Sequence, residues 1–218
     1  PSKLTYTIVR NDETTAAEGI SGTTFTDTEF ASTTSQVFIY YGVKAVYGDC
    51  ESEFILSDYV ILGPDNAVPF AESFANQSLD NTPWALSRVQ GSSTGWNLTN
   101  AGVHPDVTAQ DNDSGFASFN SFEMQNPTVV RLTSPKIDLF SAQHPVLSFW
   151  LHQSANDATE TLEVEISYND QKYQSLGVFP VKGAETGWKE FTIEIPRILC
   201  KEQAMLSFKA TSGNGNNI

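Results

Sequence analysis

Short alternating runs closed by turn residues constrain this chain more than any other feature of its 218 residues. Thr5-Tyr6-Thr7-Ile8-Val9, Val37-Phe38-Ile39-Tyr40-Tyr41, Val146-Leu147-Ser148-Phe149-Trp150, Leu162-Glu163-Val164-Glu165-Ile166 and Phe191-Thr192-Ile193-Glu194-Ile195 are rich in β-branched and aromatic residues. Several alternate with a period of two, which sets successive side chains on opposite faces of a strand. Gly48-Asp49, Gly63-Pro64-Asp65-Asn66, Asn112-Asp113-Ser114-Gly115, Asn169-Asp170 and Ser212-Gly213-Asn214-Gly215 punctuate the runs with residues that turn a chain cheaply. This spacing predicts an all-β chain of two tandem β-sandwiches. Helix is expected to reach one turn at most, within residues 197–205, and no internal repeat is evident. Two prolines and a glycine interrupt the strand pattern near residues 64–69. That stretch reads as a linker between a first domain, 1–63, and a second, 70–218.

Composition narrows the partners. Twenty-six acidic residues against 12 basic ones give a net charge of −14. A chain this acidic is repelled by phosphate backbones and anionic headgroups, so neither nucleic acid nor an acidic membrane is an expected partner. No apolar run reaches the roughly 18 residues of a membrane span, so membrane insertion is not expected. Pro1-Ser2-Lys3 leads directly into the first strand pattern, with no signal peptide at that end. Cys50 and Cys200 are too few for a disulfide scaffold. They are read as two unpaired thiols with Cys200 packed inside; a bond between them would instead tie the two domains.

Through Tyr6–Asn11, Thr24–Thr28 and the Tyr41-Gly42-Val43-Lys44-Ala45 pattern, the first domain resembles a fibronectin type III domain seen from its middle onward. Tyr6-Thr7-Ile8-Val9-Arg10-Asn11 is similar to that family's strand C, and Thr24-Phe25-Thr26-Asp27-Thr28 to its strand E. Tyr41-Gly42-Val43-Lys44-Ala45-Val46-Tyr47 matches the Tyr-x-Val-x-Ala of its strand F. The resemblance implies that the Tyr41 hydroxyl bonds backbone upstream, as a corner tyrosine. Nothing before residue 5 supplies the first two strands of that family. With Leu132-Thr133-Ser134-Pro135-Lys136-Ile137-Asp138-Leu139 and Leu147-Ser148-Phe149-Trp150-Leu151-His152 foremost, the second domain resembles the MAM-like jelly roll of bacterial surface proteins, with the cleaved-adhesin and choice-of-anchor J domains among its relatives. Six elements carry this in order: Pro69-Phe70-Ala71-Glu72-Ser73-Phe74 as an opening strand, Gly95-Trp96-Asn97, Gly115-Phe116-Ala117-Ser118, Leu132-Thr133-Ser134-Pro135-Lys136-Ile137-Asp138-Leu139, Leu147-Ser148-Phe149-Trp150-Leu151-His152, and Gly187-Trp188-Lys189-Glu190-Phe191-Thr192 with Phe208-Lys209-Ala210-Thr211. The family's last strand, which carries an aspartate, is not found before Ile218, so both ends read as cut from a larger protein.

Candidate chemistry is sparse. The three histidines, His104, His144 and His152, stand in no catalytic signature, and Gly-x-Ser-x-Gly, His-Glu-x-x-His and phosphate-loop patterns are absent. No enzyme activity is expected of this chain. His152 lies opposite in parity to Leu151, which is what a polar strand position looks like. A structural calcium ion is the cofactor expectation, because Asp111-Asn112-Asp113-Ser114-Gly115 crowds hard oxygen donors into one turn. The resemblance implies a ligand set of Glu72 with Asp111 or Asp113; the plain alternative is a solvated turn. Trp84, Trp96 and Trp188 are candidates for stacking sugar, against the alternative that all three fill the sandwich. Trp150, in an apolar run, is expected in the core. The resemblance implies a secreted or cell-surface binding or adhesion module recognising glycan or protein. The alternatives are an accessory segment of a secreted hydrolase and a structural spacer.

Overall fold

The structure is a computed structural model and describes residues 3–30, 33–79, 82–91, 95–110, 114–155, 160–168 and 172–218. The chain divides into two compact units, Pro1–Pro64 and Asp65–Ile218. Both are built of strands; the described residues hold one 3-10 turn, Arg197–Leu199, in the stretch where a single turn was expected. Among the described residues, no helix is long and apolar enough to cross a membrane.

Unit 1 contains β1 (Leu4–Arg10), β2 (Thr15–Ile20), β3 (Val37–Ile39), β4 (Tyr41–Tyr47), β5 (Cys50–Glu51), β6 (Ile55–Leu56) and β7 (Val60–Leu62). β1 is central: it pairs antiparallel with β2 on one side and β4 on the other, in a register that sets Ile8 opposite Val43 and Arg10 opposite Tyr41. The run Val37–Tyr41 is not one strand. The chain changes sheets at Tyr40, so that β3 pairs with β7 before β4 joins β1. Ile39, Tyr59 and Ile61 are buried there. Thr24–Thr28, expected as a strand, joins no ladder. Its Asp27 side chain instead takes the Arg10 guanidinium in two bonds, Nε to Oδ2 at 2.8 Å and Nη2 to Oδ1 at 3.1 Å. The Tyr41 hydroxyl donates to the same carboxylate at 2.9 Å, and not to backbone as the corner-tyrosine resemblance implied. Arg10 is 8% exposed, and a cation that deep is retained only with its charge answered.

Unit 2 contains β8 (Ala85–Gln90), β9 (Trp96–Thr99), β10 (Ala101–Gly102), β11 (Val107–Thr108), β12 (Phe116–Phe119), β13 (Val129–Thr133), β14 (Val146–Gln153), β15 (Thr161–Tyr168), β16 (Gln174–Pro180), β17 (Gly187–Glu194) and β18 (Ala204–Thr211). Five of them form one antiparallel sheet in the order β16-β15-β18-β13-β8. Leu162, Val164 and Ile166 of β15, Leu132 of β13 and Leu206 and Ala210 of β18 face one side and are buried. On the other side Arg131 bonds Glu165 at 2.6 Å, and Lys209 bridges Glu163 and Glu165. The sheet is therefore a hydrophobic floor backed by a ladder of paired charges, as the period-two pattern requires. Against the floor lie two ribbons, β9–β12 and β14–β17, whose Trp96, Phe119 and Leu151 join Leu132, Leu162 and Ala210 in one core cluster. A second cluster gathers Ile137, Ile166, Ile195, Leu199, Cys200 and Leu206.

Pro69–Phe74, expected as an opening strand, pairs with nothing in the described ladders. The Glu72 carboxylate captures the Phe74 backbone N–H at 2.7 Å and turns the chain locally. At the other end Ile218 exchanges both backbone bonds with Phe119, at 2.7 and 3.0 Å, on the edge of β12 opposite β9. Both thiols are free, Cys50 exposed and Cys200 buried.

Candidate functional site

β14 places the site. Its burial follows strict alternation: Leu147, Phe149 and Leu151 turn toward the floor, while Val146, Ser148, Trp150 and His152 turn outward. Trp150 is 45% exposed, although its apolar neighbours had marked it for the core. The parity of the strand wins over local hydrophobicity, since an extended chain cannot bury both faces against a single sheet. In β17, the partner strand, Trp188 stands directly opposite His152, and Glu190 opposite Trp150. Outward, then, the ribbon presents two indoles on a diagonal, a histidine and a carboxylate.

A loop completes the wall. Asp106, Val107, Thr108, Ala109 and Gln110 form an open basin with Trp150 and Trp188. The Trp188 indole N–H donates to the Thr108 carbonyl at 3.0 Å, and its ring meets the edges of Phe116 and His152 at centroid distances of 5.6 and 5.4 Å. Upstream, Asn217 ties the same loop twice: its backbone N–H donates to the His104 carbonyl, and its side-chain amide to the Val103 carbonyl. His104 stacks on Phe122 with centroids 3.8 Å apart. The basin is thus framed by fixed groups while Trp150 itself stands free on one face. Burial lowers the His152 pKa, which keeps the imidazole neutral at pH 7. Behind the basin, and sharing Val107, Gln110, Trp150 and Trp188 with it, a cleft of about 360 Å³ opens between the edges of β12 and β14. Its floor is Leu132, Leu162 and Phe208.

The sequence candidates separate. Trp84 and Trp96 are both 7% exposed, and both indole N–H groups are spent inside, on Glu72 Oε2 at 3.1 Å and the Val130 carbonyl at 3.1 Å. They pack in the core, border the cleft from inside, and stand away from the basin. Trp188 is half-buried and does line the basin. Trp150 and the Asp106–Gln110 wall were missed, though the alternation of Val146–His152 already assigned Trp150 to the outer face. Glu72 bonds Phe74 N–H and Trp84 N–H, one with each oxygen. Asp111 and Asp113 lie outside the described residues. No group of three or more His, Cys, Asp or Glu that could hold a metal occurs among the described residues. Of the expected calcium ligands the described residues hold Glu72 alone, and calcium takes six to eight oxygens.

Comparison with known proteins places the chain. No curated protein matches it. Among solved structures, the K1 cleaved adhesin domain of Lys-gingipain from Porphyromonas gingivalis W83 is 22% identical, covering 64% of this chain and 91% of its own, with a TM-score of 0.46. TmCBM61, solved in complex with beta-1,4-galactotriose, is 15% identical, covering 66% of this chain and 86% of its own, with a TM-score of 0.43. The chicken interferon gamma receptor alpha chain aligns at 11% identity over 99% of this chain and 82% of its own, with a TM-score of 0.23. The family model of the MAM domain, meprin/A5/mu, matches residues 71–218, nearly all of unit 2, and the chain belongs to the MAM domain family.

Proposed function

We propose that this chain is a non-catalytic binding module of a larger exported surface protein, and that unit 2 recognises a glycan at the Trp150 basin. The observation that carries the reading is Trp150 itself. A large ring left 45% exposed on the outer face of a sheet forfeits burial, and here it stands beside a wall of polar groups rather than alone. A pyranose has an apolar face of C–H groups and a rim of hydroxyls. The indole face suits the first. Asp106, Thr108 and Gln110 on the wall suit the second, with acceptors outnumbering donors. Neighbouring His152 packs against Trp188, which accounts for it without chemistry. Unit 1 is read as a fibronectin type III-like partner, supported by the antiparallel register of Tyr6–Arg10 against Tyr41–Ala45. The test is Trp150→Ala against wild type on a panel of immobilised oligosaccharides. Loss of a central aromatic anchor is expected to weaken binding by about tenfold or more. A wild type that retains no oligosaccharide, or a variant that binds equally well, would sink the reading.

A further inference from the structure

We infer that the Trp150 basin selects uncharged sugars and rejects acidic ones, an inference that rests on the glycan reading above. Among the described residues, the charges placed around a ligand stacked on Trp150 share one sign. Along the ribbon the outward pairs are Val146 with Glu194, Ser148 with Thr192, Trp150 with Glu190, and His152 with Trp188. Two of these eight positions are carboxylates and none is lysine or arginine. The loop wall adds Asp106 and no cation. β14 contains no lysine or arginine, and β17 contains only Lys189, which has the opposite parity and whose ammonium lies 5.3 Å from the Phe191 ring centroid. His152 would be the remaining source of positive charge, and its burial holds it neutral at pH 7. Sites built for uronate or sialate carboxylates place a guanidinium or ammonium where the anion arrives, because a desolvated carboxylate without one is left uncompensated. Here the ligand carboxylate would meet carboxylates.

Geometry sets the size of the effect. Glu190 is the cross-strand neighbour of Trp150, so its carboxylate stands on the order of 5–8 Å from a sugar on the indole. Asp106 faces the same basin. Each exposed carboxylate at such a distance disfavours a ligand anion by about threefold at low salt. Together they amount to about tenfold, on top of the field of a chain of net charge −14. The same acceptors favour neutral sugars, whose hydroxyls are donors.

Calorimetric titration of the full chain decides it, using neutral galacto- and gluco-oligosaccharides and the oligogalacturonate and oligoglucuronate of matched length, at about 20 and about 500 mM salt. Neutral oligosaccharides are expected to bind with affinities independent of salt. Each uronate is expected to bind at least about tenfold more weakly than its neutral counterpart at low salt, and to close most of that gap at high salt, where the Debye length falls to a few ångströms. Uronates that bind as tightly as their neutral counterparts at low salt, with Trp150→Ala abolishing both, would overturn this inference and leave glycan recognition standing. Binding of neither class, or binding indifferent to Trp150→Ala, would overturn both.

Discussion

Ile166→Ala tests whether the second cluster of unit 2 is a packed core. Ile166 is fully buried in β15, opposite Leu206 of β18, and packs among Ile137, Leu139, Ile195, Leu199 and Cys200. It does not itself border the cleft, which its neighbours Ile137 and Leu206 line. The substitution removes three carbons. At about 0.8 kcal/mol per methylene their transfer is worth about 2.4 kcal/mol. The unrelaxed cavity adds about 24 cal/mol per Å³, about 1.5 kcal/mol for about 60 Å³. The expected loss is therefore about 4 kcal/mol. All four tryptophans, Trp84, Trp96, Trp150 and Trp188, lie in unit 2, so tryptophan fluorescence follows that unit alone. With a urea m-value of about 2 kcal/mol/M, the midpoint should fall by about 2 M with m unchanged. Ile55→Ala, at a residue 77% exposed in unit 1, should leave that fluorescence transition where it is. An Ile166→Ala loss below about 1 kcal/mol would refute the reasoning, because a wall that collapses so freely is not close-packed.

Three further outcomes follow from named contacts. The Arg10 side chain, then the Glu29 N–H and the Tyr41 hydroxyl, hold the Asp27 pKa down to about 2, against about 4 in an unfolded chain. A depressed carboxyl stabilises the folded state above the unfolded value and loses that contribution as pH falls through the folded one. Circular dichroism of unit 1 should thus show stability declining between about pH 4 and 2 in wild type and a flatter profile in that window in Asp27→Asn; coincident profiles would discount the triad. Glu72→Gln turns one of two accepting oxygens into a donor aimed at an N–H, so unit 2 should lose about 1 kcal/mol in urea titrations with or without a chelator. Gly115→Ala would set a Cβ 2.3 Å from the Phe74 carbonyl oxygen and 3.3 Å from that of Thr99, both backbone. It should cost about 1–3 kcal/mol by the same measurement, and a neutral result would mean that the 69–74 segment yields freely.

How far the sequence could be read depends on which force decides each residue. Strands were legible wherever a period-two run met a two-faced environment: β1, β14, β15 and β17 stand where the runs predicted them, because alternation and sheet geometry are one constraint stated twice. Legibility failed where a single side chain overrode the pattern. Thr24–Thr28 has strand composition, yet Asp27 is needed inward to answer Arg10, 17 residues away, and no local rule reports that need. Pro69–Phe74 fails likewise through the Glu72 turn. Trp150 is the opposite case. Its neighbours argued for burial and its parity for exposure, and parity prevailed because backbone geometry acts on every residue of the strand while hydrophobicity acts on one. The same rule sorts the other tryptophans only in part. Trp96 faces inward from β9 opposite Phe119, but Trp84 precedes its strand and is buried through its bond to Glu72, a contact that alternation does not encode. The candidate site was therefore half written in the sequence. The ribbon face followed from period two, whereas the Asp106–Gln110 wall is held by Trp188 from 80 residues away, and only the folded chain brings the two together.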